Sequence, residues 1–227
     1  MSLRAIVFDF DGVIANSEPL HFLAFRDVLS AHGFPLTEAD YYARYLGFDD
    51  VGVFQAVGAE RHAGWTPADI RALVADKAVQ LEALEHGTSI LFPGAADAIR
   101  RAASLVPIAI ASGARGDEIR RVLHREQLAG YFAAIVSAED TAVSKPAPDP
   151  YVRALALLAP VTGSDLKGAE CVAIEDSVWG LESARAAGLK TVGVTSTYDA
   201  SALTGADLVI RGLDDLNLEQ LASICTS

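Results

Sequence analysis

Six short apolar runs punctuate the sequence, at residues 4–8, 107–111, 133–137, 171–174, 191–195 and 207–210. Runs this brief, bounded by turn or polar residues, fit strands buried on both faces. Between the later runs lie stretches of helical periodicity at residues 95–104, 117–127, 150–158 and 178–187. Gly188 follows the last of them, at the C′ position where a left-handed residue commonly ends a helix. Strand and helix alternating in this way predict βαβ units. The expected fold class is therefore α/β: a Rossmann-like parallel sheet core with helices on both faces.

The alternation fails once. Residues 17–87, between the first and second runs, carry helical patterns and no convincing strand. A helix over residues 19–31 ends at Gly33, Thr37 opens another, and Thr66-Pro67-Ala68-Asp69 starts a third with Thr at the N-cap and Pro at N1. An all-helical insertion at this point predicts an α-helical cap domain, residues 17–87. The catalytic core domain is then residues 1–16 and 88–227.

The 227 residues, 51% of them hydrophobic, suffice for a substantial core. Thirty acidic residues against eighteen basic give a net charge of -12, which opposes approach to nucleic acid or an anionic membrane surface. A small phosphate can still bind such a chain where a metal ion, a lysine or a helix N-terminus supplies positive potential. Cys171 and Cys225 stand in no metal-like or disulfide-framework spacing and read as reduced thiols. The first apolar run is cut off by Asp9 and Asp11, too early for a signal peptide or a membrane span, so a cytoplasmic location is expected.

Four groups of polar residues fall at the carboxyl ends of predicted strands or in the loops beside them, the edge where open α/β sheets bind ligands. Asp9-Phe10-Asp11-Gly12 closes the first run. Asp9 and Asp11, two apart, point to one side of an extended chain, and Gly12 lets it bend sharply. Two carboxylates held together repel unless a cation lies between them or one is protonated. Ser112-Gly113 closes the second run, where a hydroxyl and backbone N–H groups at the start of the next helix would make an anion cradle, or Ser112 would simply cap that helix. Lys145 sits in Ser144-Lys145-Pro146-Ala147-Pro148, where two prolines stiffen the loop that holds its ammonium. Glu175-Asp176-Ser177 follows the fourth run and supplies a second carboxylate pair, with Asp176 or Ser177 also able to cap a helix.

Together these residues resemble the signature of the haloacid dehalogenase superfamily of phosphatases and phosphomutases. The resemblance runs through nearly the whole chain and is to the helical-cap subfamily that includes β-phosphoglucomutase and phosphoglycolate phosphatase. That signature is a strand ending in D-x-D-G, a strand ending in Ser or Thr, a loop Lys usually followed by Pro, and a strand ending in a carboxylate pair. The resemblance implies that Asp9 is a nucleophile forming an aspartyl phosphate, and that Asp11 protonates the leaving oxygen and then deprotonates the attacking water. It implies Mg²⁺ held by the Asp9 carboxylate, the Asp11 backbone carbonyl and Asp176, with Glu175 supporting the site or binding through water. Ser112, Gly113 and Lys145 would then bind the phosphoryl group. Asn16-Ser17-Glu18-Pro19-Leu20-His21 is similar to the family's D-S-E-x-x-H segment at the cap entrance, where His21 would contact substrate or help position the acid/base Asp. An exposed helical position is the plainer account of His21.

Within that subfamily a mutase needs a basic cap site for the second phosphate of its bisphosphate intermediate, in the family a G-x-S-R loop. The corresponding stretch here, Gly47-Phe48-Asp49-Asp50, carries acidic residues where the arginine would be, with Arg44, Arg61 and Lys77 as cations that could compensate. Simple hydrolysis of a small phosphorylated metabolite is therefore expected ahead of mutase chemistry. A metal-free dehalogenase is disfavoured because Asp11 is present, and a receiver-like signalling domain because such a domain has no use for a cap of this size.

Overall fold

The structure, a computed structural model, describes residues 3–46, 48–85, 89–163 and 165–225. It divides into two compact units, Met1–Asn16 with Ile90–Ser227, and Ser17–Ser89. The boundary expected between residues 87 and 88 lies outside the described residues.

The larger unit is built on six strands: β1 (Ala5–Phe8), β2 (Ile108–Ala111), β3 (Phe132–Val136), β4 (Cys171–Glu175), β5 (Lys190–Val194) and β6 (Leu208–Ile210). All pair in parallel, in the order β3-β2-β1-β4-β5-β6. Every residue of β1, β2 and β4 is buried, which is why these strands are wholly apolar up to Glu175 at the end of β4 rather than alternating. One face carries small side chains, Ala5, Ala109, Ala111 and Ala173, against Tyr151, Ala154 and Leu158. Each buried Val or Leu there contributes about 1.5–3 kcal/mol. The strand order reverses direction between β1 and β4, and the crevice outside their carboxyl ends is the ligand position of open α/β sheets.

The smaller unit holds α1 (Glu18–Ala31), α2 (Glu38–Arg44), α3 (Asp50–Glu60) and α4 (Pro67–Leu84). Its core is aromatic, with Phe25 edge-on to Phe54 at 5.3 Å and Trp65 edge-on to Phe34 at 5.1 Å. Thr66 and Asp69 form a reciprocal capping box that starts α4. Helix α3 has no counterpart among the expected helices. Asp49 is its N-cap and accepts from the Gly52 N–H at 2.7 Å, and Asp50 opens its first turn. Two residues read as charges facing a phosphate thus have local structural roles.

The larger unit continues with α5 (Ala95–Ala103), α6 (Gly116–Arg125), α7 (Asp149–Thr162), α8 (Val178–Ala186) and α9 (Leu218–Ile224). Helix α7 runs past the expected end at residue 158 and contains Pro160. A proline in the last turn forfeits one helical hydrogen bond. Side-chain bonds hold that turn instead: Thr162 Oγ1 donates to the Leu158 carbonyl at 3.0 Å, and Arg4 Nη2 to the Thr162 carbonyl at 2.6 Å. Among the described residues no helix is long and apolar enough to cross a membrane.

Candidate active site

Asp9 follows the last residue of β1, and its N–H donates to the Ile174 carbonyl of β4 at 2.9 Å, so the ladder itself holds it at the crevice. Its Oδ1 accepts from the Phe10 N–H at 2.7 Å and lies 3.0 Å from Lys145 Nζ. The same ammonium donates to Glu175 Oε1 at 2.5 Å and stands 5.2 Å from the centre of the Tyr151 ring. Lys145 is thereby bonded to carboxylates from two neighbouring strands.

Glu175 is fully buried, and its bonds account for that. Oε1 also accepts from Tyr151 Oη at 2.8 Å, while Oε2 accepts from the Asp176 and Ser177 N–H groups and from Ser177 Oγ, at 3.2, 3.3 and 3.1 Å. Ser177, not Asp176, is the N-cap of α8, its Oγ accepting from the Gly180 N–H at 3.0 Å. A Cβ on Gly180 would stand 1.9 Å from the Glu175 carboxyl, so only glycine lets the helix start this close.

Asp176 is buried beside them, and one oxygen each of Asp9, Glu175 and Asp176 lie within 4.8 Å of one another. Burial pushes the Asp9 carboxyl up, Lys145 pulls it back and Glu175 pushes it further, to about 6. Burial, with Glu175 and Asp9 adding to it, holds Asp176 well above the usual carboxylate range. Burial works against the Lys145 charge, yet Asp9 and Glu175 outweigh it and raise the ammonium above its ordinary value. The cluster is thus short of positive charge. The three carboxylates, with Lys145 as their one cationic neighbour, offer oxygen donors of the kind that take a hard divalent cation.

Gly12 adopts φ +75°, and a Cβ there would meet Asp176 Oδ2 at 2.0 Å, so the turn after Asp9-Phe10-Asp11 needs glycine for both conformation and space. Asp11 is half-buried within that turn. Ser112 is buried at the end of β2, its N–H donating to the Val136 carbonyl at 3.0 Å and its Oγ accepting from the Ala114 N–H at 3.1 Å. Helix α6 begins only at Gly116, and the Gly116 N–H donates to Glu139 Oε2 at 3.1 Å. Ser112 therefore bonds within its own turn and does not cap the helix, while Gly113 beside it is exposed. The Lys145 loop is anchored where Ser183 Oγ of α8 donates to the Ala147 carbonyl at 2.5 Å.

His21 belongs to the smaller unit. Its Nδ1 lies 2.9 Å from Lys77 Nζ, and that fully buried ammonium donates to Asp50 Oδ1 at 2.7 Å. Nearby, Tyr41 Oη donates to Glu18 Oε1 at 2.5 Å. Four residues around the site in the larger unit escaped the sequence reading. Tyr151 and Gly180 carry no motif, but Ser196-Thr197 follows β5 at the same carboxyl edge as the other groups, and that position was the available signal. Thr197 Oγ1 donates to Asp176 Oδ2, and Ser196 Oγ to the Gly12 carbonyl.

Comparison with known proteins gives a consistent result. A family model described as haloacid dehalogenase-like hydrolase matches residues 3–188. Similar sequences are the protein CbbY of Rhodobacter capsulatus, 35% identical over 87% of this chain and 88% of that one, and β-phosphoglucomutase of Bacillus subtilis, 30% identical over 96% and 94%. A phosphorylated carbohydrates phosphatase of Thermotoga maritima is 29% identical over 95% and 98%. Among solved structures, CbbY of Rhodobacter sphaeroides in complex with phosphate superposes with a TM-score of 0.80 at 26% identity, over 96% of this chain and 97% of that one.

Proposed function

This chain belongs to the haloacid dehalogenase-like hydrolase family, and from that premise we propose that it is a magnesium-dependent phosphohydrolase of a small phosphorylated metabolite. The substrate class is a sugar phosphate or a phosphoglycolate-like monoester. The reading is carried by the buried cluster of Asp9, Glu175 and Asp176 with Lys145 at the crevice between β1 and β4.

Asp9, the Asp11 carbonyl and Asp176 are the proposed holders of Mg²⁺. Glu175, saturated by Lys145, Tyr151, Ser177 and two N–H groups, supports them from behind. When bound, the cation would neutralise charge on the phosphoryl oxygens. Asp9 attacks the phosphorus in line and carries the phosphoryl group as an aspartyl phosphate, while Asp11 gives a proton to the leaving oxygen. Asp11 then takes a proton from the water that hydrolyses the intermediate. Lys145, Ser112 and the N–H groups around Gly113 hold the transferring oxygens. The helical unit is proposed as the substrate-selecting cap of the family, with His21 as its candidate contact.

Mutase chemistry is the second reading, favoured by the relative named β-phosphoglucomutase. It needs free positive charge for a second phosphate. Lys77 is matched by Asp50 at 2.7 Å and Arg44 by Glu60 at 2.5 Å, so two of the three cations weighed for that role are already compensated. Hydrolysis is the better-supported reading.

The test is phosphate release from sugar phosphates, phosphoglycolate, nucleotides and p-nitrophenyl phosphate, with Mg²⁺ and with EDTA. Magnesium-dependent release, abolished by EDTA, is expected from at least one metabolite of the panel. Conversion of a sugar 1-phosphate to the 6-phosphate without net release selects the mutase, and no reaction with any compound overturns both.

A further inference from the structure

We propose that Thr197 is a positioning residue for the cation site, fixing the Asp176 carboxylate so that its remaining oxygen is presented to the metal. The inference rests on the reading of Asp176 as a cation ligand given above and assigns a role to a segment with no part in the family signature.

The chain leaves β5 at Val194 and passes along the carboxyl edge of the sheet as residues 195–198. Both ends of this short segment are braced. The Thr195 N–H donates to the Ile210 carbonyl at 3.1 Å, and Tyr198 packs edge-on against Trp179 of α8 with ring centres 6.4 Å apart. Between the braces two successive hydroxyls reach different strands: Ser196 Oγ donates to the Gly12 carbonyl in the turn after β1, and Thr197 Oγ1 donates to Asp176 Oδ2 after β4. The segment therefore ties together the two loops that flank the crevice.

The geometry around Asp176 Oδ2 leaves little freedom. The position a Gly12 Cβ would occupy is 2.0 Å from Oδ2 and 3.0 Å from Thr197 Oγ1. Oδ2 is thus held between the bare Gly12 backbone and the Thr197 hydroxyl. A hydroxyl has one proton to give, and here it goes to Oδ2, which orients the carboxylate plane and leaves Oδ1 for a cation. Without that bond a buried carboxylate beside Glu175 and Asp9 would turn away from its neighbours. Outer partners of this kind orient metal ligands and tune affinity through them.

Isothermal titration of Mg²⁺ into the chelator-treated full chain tests this, using wild type, Thr197→Val and Thr197→Ser. Valine keeps the shape and removes the proton; serine restores the hydroxyl. The expected result is a Mg²⁺ dissociation constant about 10–100-fold weaker for Thr197→Val, recovered by Thr197→Ser, with melting midpoints in EDTA alike for all three. Binding by Thr197→Val equal to or tighter than wild type overturns the role of Thr197 and leaves the cation site standing. Weakening that serine does not rescue makes the residue merely structural and also overturns it. Absence of Mg²⁺ binding by wild type overturns the cation site itself, and this inference with it.

Discussion

Asp9→Asn is expected to lower turnover by at least about a thousandfold while leaving the fold intact. The amide cannot attack phosphorus, but it can keep the local bonds. Its oxygen can still accept from the Phe10 N–H, as Asp9 Oδ1 does at 2.7 Å, and Lys145 retains Glu175 at 2.5 Å. Stability favours the variant. Burial, only partly offset by Lys145 and reinforced by Glu175, moves the Asp9 carboxyl from 3.8 to about 6. A carboxyl raised on folding supports the fold at low pH, and that support is lost as pH climbs through the window from about 4 to about 6. At pH 7 the ionised side chain therefore costs stability, on the order of 3 kcal/mol in the metal-free protein. The metal-free melting midpoint of Asp9→Asn at pH 7 is expected at or above that of wild type, alongside the loss of turnover. Retained turnover with ordinary Mg²⁺ dependence would remove Asp9 from the nucleophile role.

Lys145→Ala is expected to cost both activity and stability, which distinguishes it from Asp9→Asn. Its ammonium bonds to Asp9 at 3.0 Å and Glu175 at 2.5 Å, with only 12% of its side chain exposed. Removing one member of a buried ion pair leaves the other charged and unpaired, typically at about 3–5 kcal/mol. For a chain of this length that corresponds to a fall in melting midpoint of about 6–20 °C. Loss of the cation proposed to hold the phosphoryl oxygens should lower kcat by about 10²–10³-fold. Thermal denaturation in EDTA and steady-state kinetics in saturating Mg²⁺ separate the two effects. A midpoint unchanged in EDTA would mean that Lys145 contributes nothing to holding the carboxylates together.

The α/β class was legible because β1, β2 and β4 are buried on both faces and so are uninterrupted runs of apolar residues in the sequence. Their ends were legible for the same reason: Asp9 and Glu175 break runs that otherwise have no polar member. Helix α3 was not. It contains Gly52 and Gly58, and its N-cap Asp49 and first-turn Asp50 look like an acidic surface patch until Gly52 and Lys77 are seen to take them up. Pro160 misled in the opposite direction, marking a stop that Arg4 and Thr162 bonds override. Within the site, Asp9, Lys145, Glu175 and Asp176 stood out as charges at one predicted sheet edge; one oxygen each of the three carboxylates lie within 4.8 Å of one another, and Lys145 pairs with Asp9 and Glu175. Tyr151, Gly180 and Thr197 did not, since each acts through a neighbour from another element. Nothing local in the sequence marks a tyrosine whose importance is a bond to Glu175 across 24 residues.

The proposed mechanism requires a phosphoryl group carried by Asp9, and Asp11→Asn offers the most direct view of it. With p-nitrophenyl phosphate the leaving group departs without needing a proton, so this variant should still form the intermediate yet lack the base that hydrolyses it. After acid quench of a reaction in Mg²⁺, mass spectrometry of the peptide spanning residues 5–26 should show one added phosphoryl group, located on Asp9. An unmodified peptide from wild type and variant alike, while wild type steadily releases phosphate, would mean that water attacks the substrate directly and would contradict the covalent mechanism.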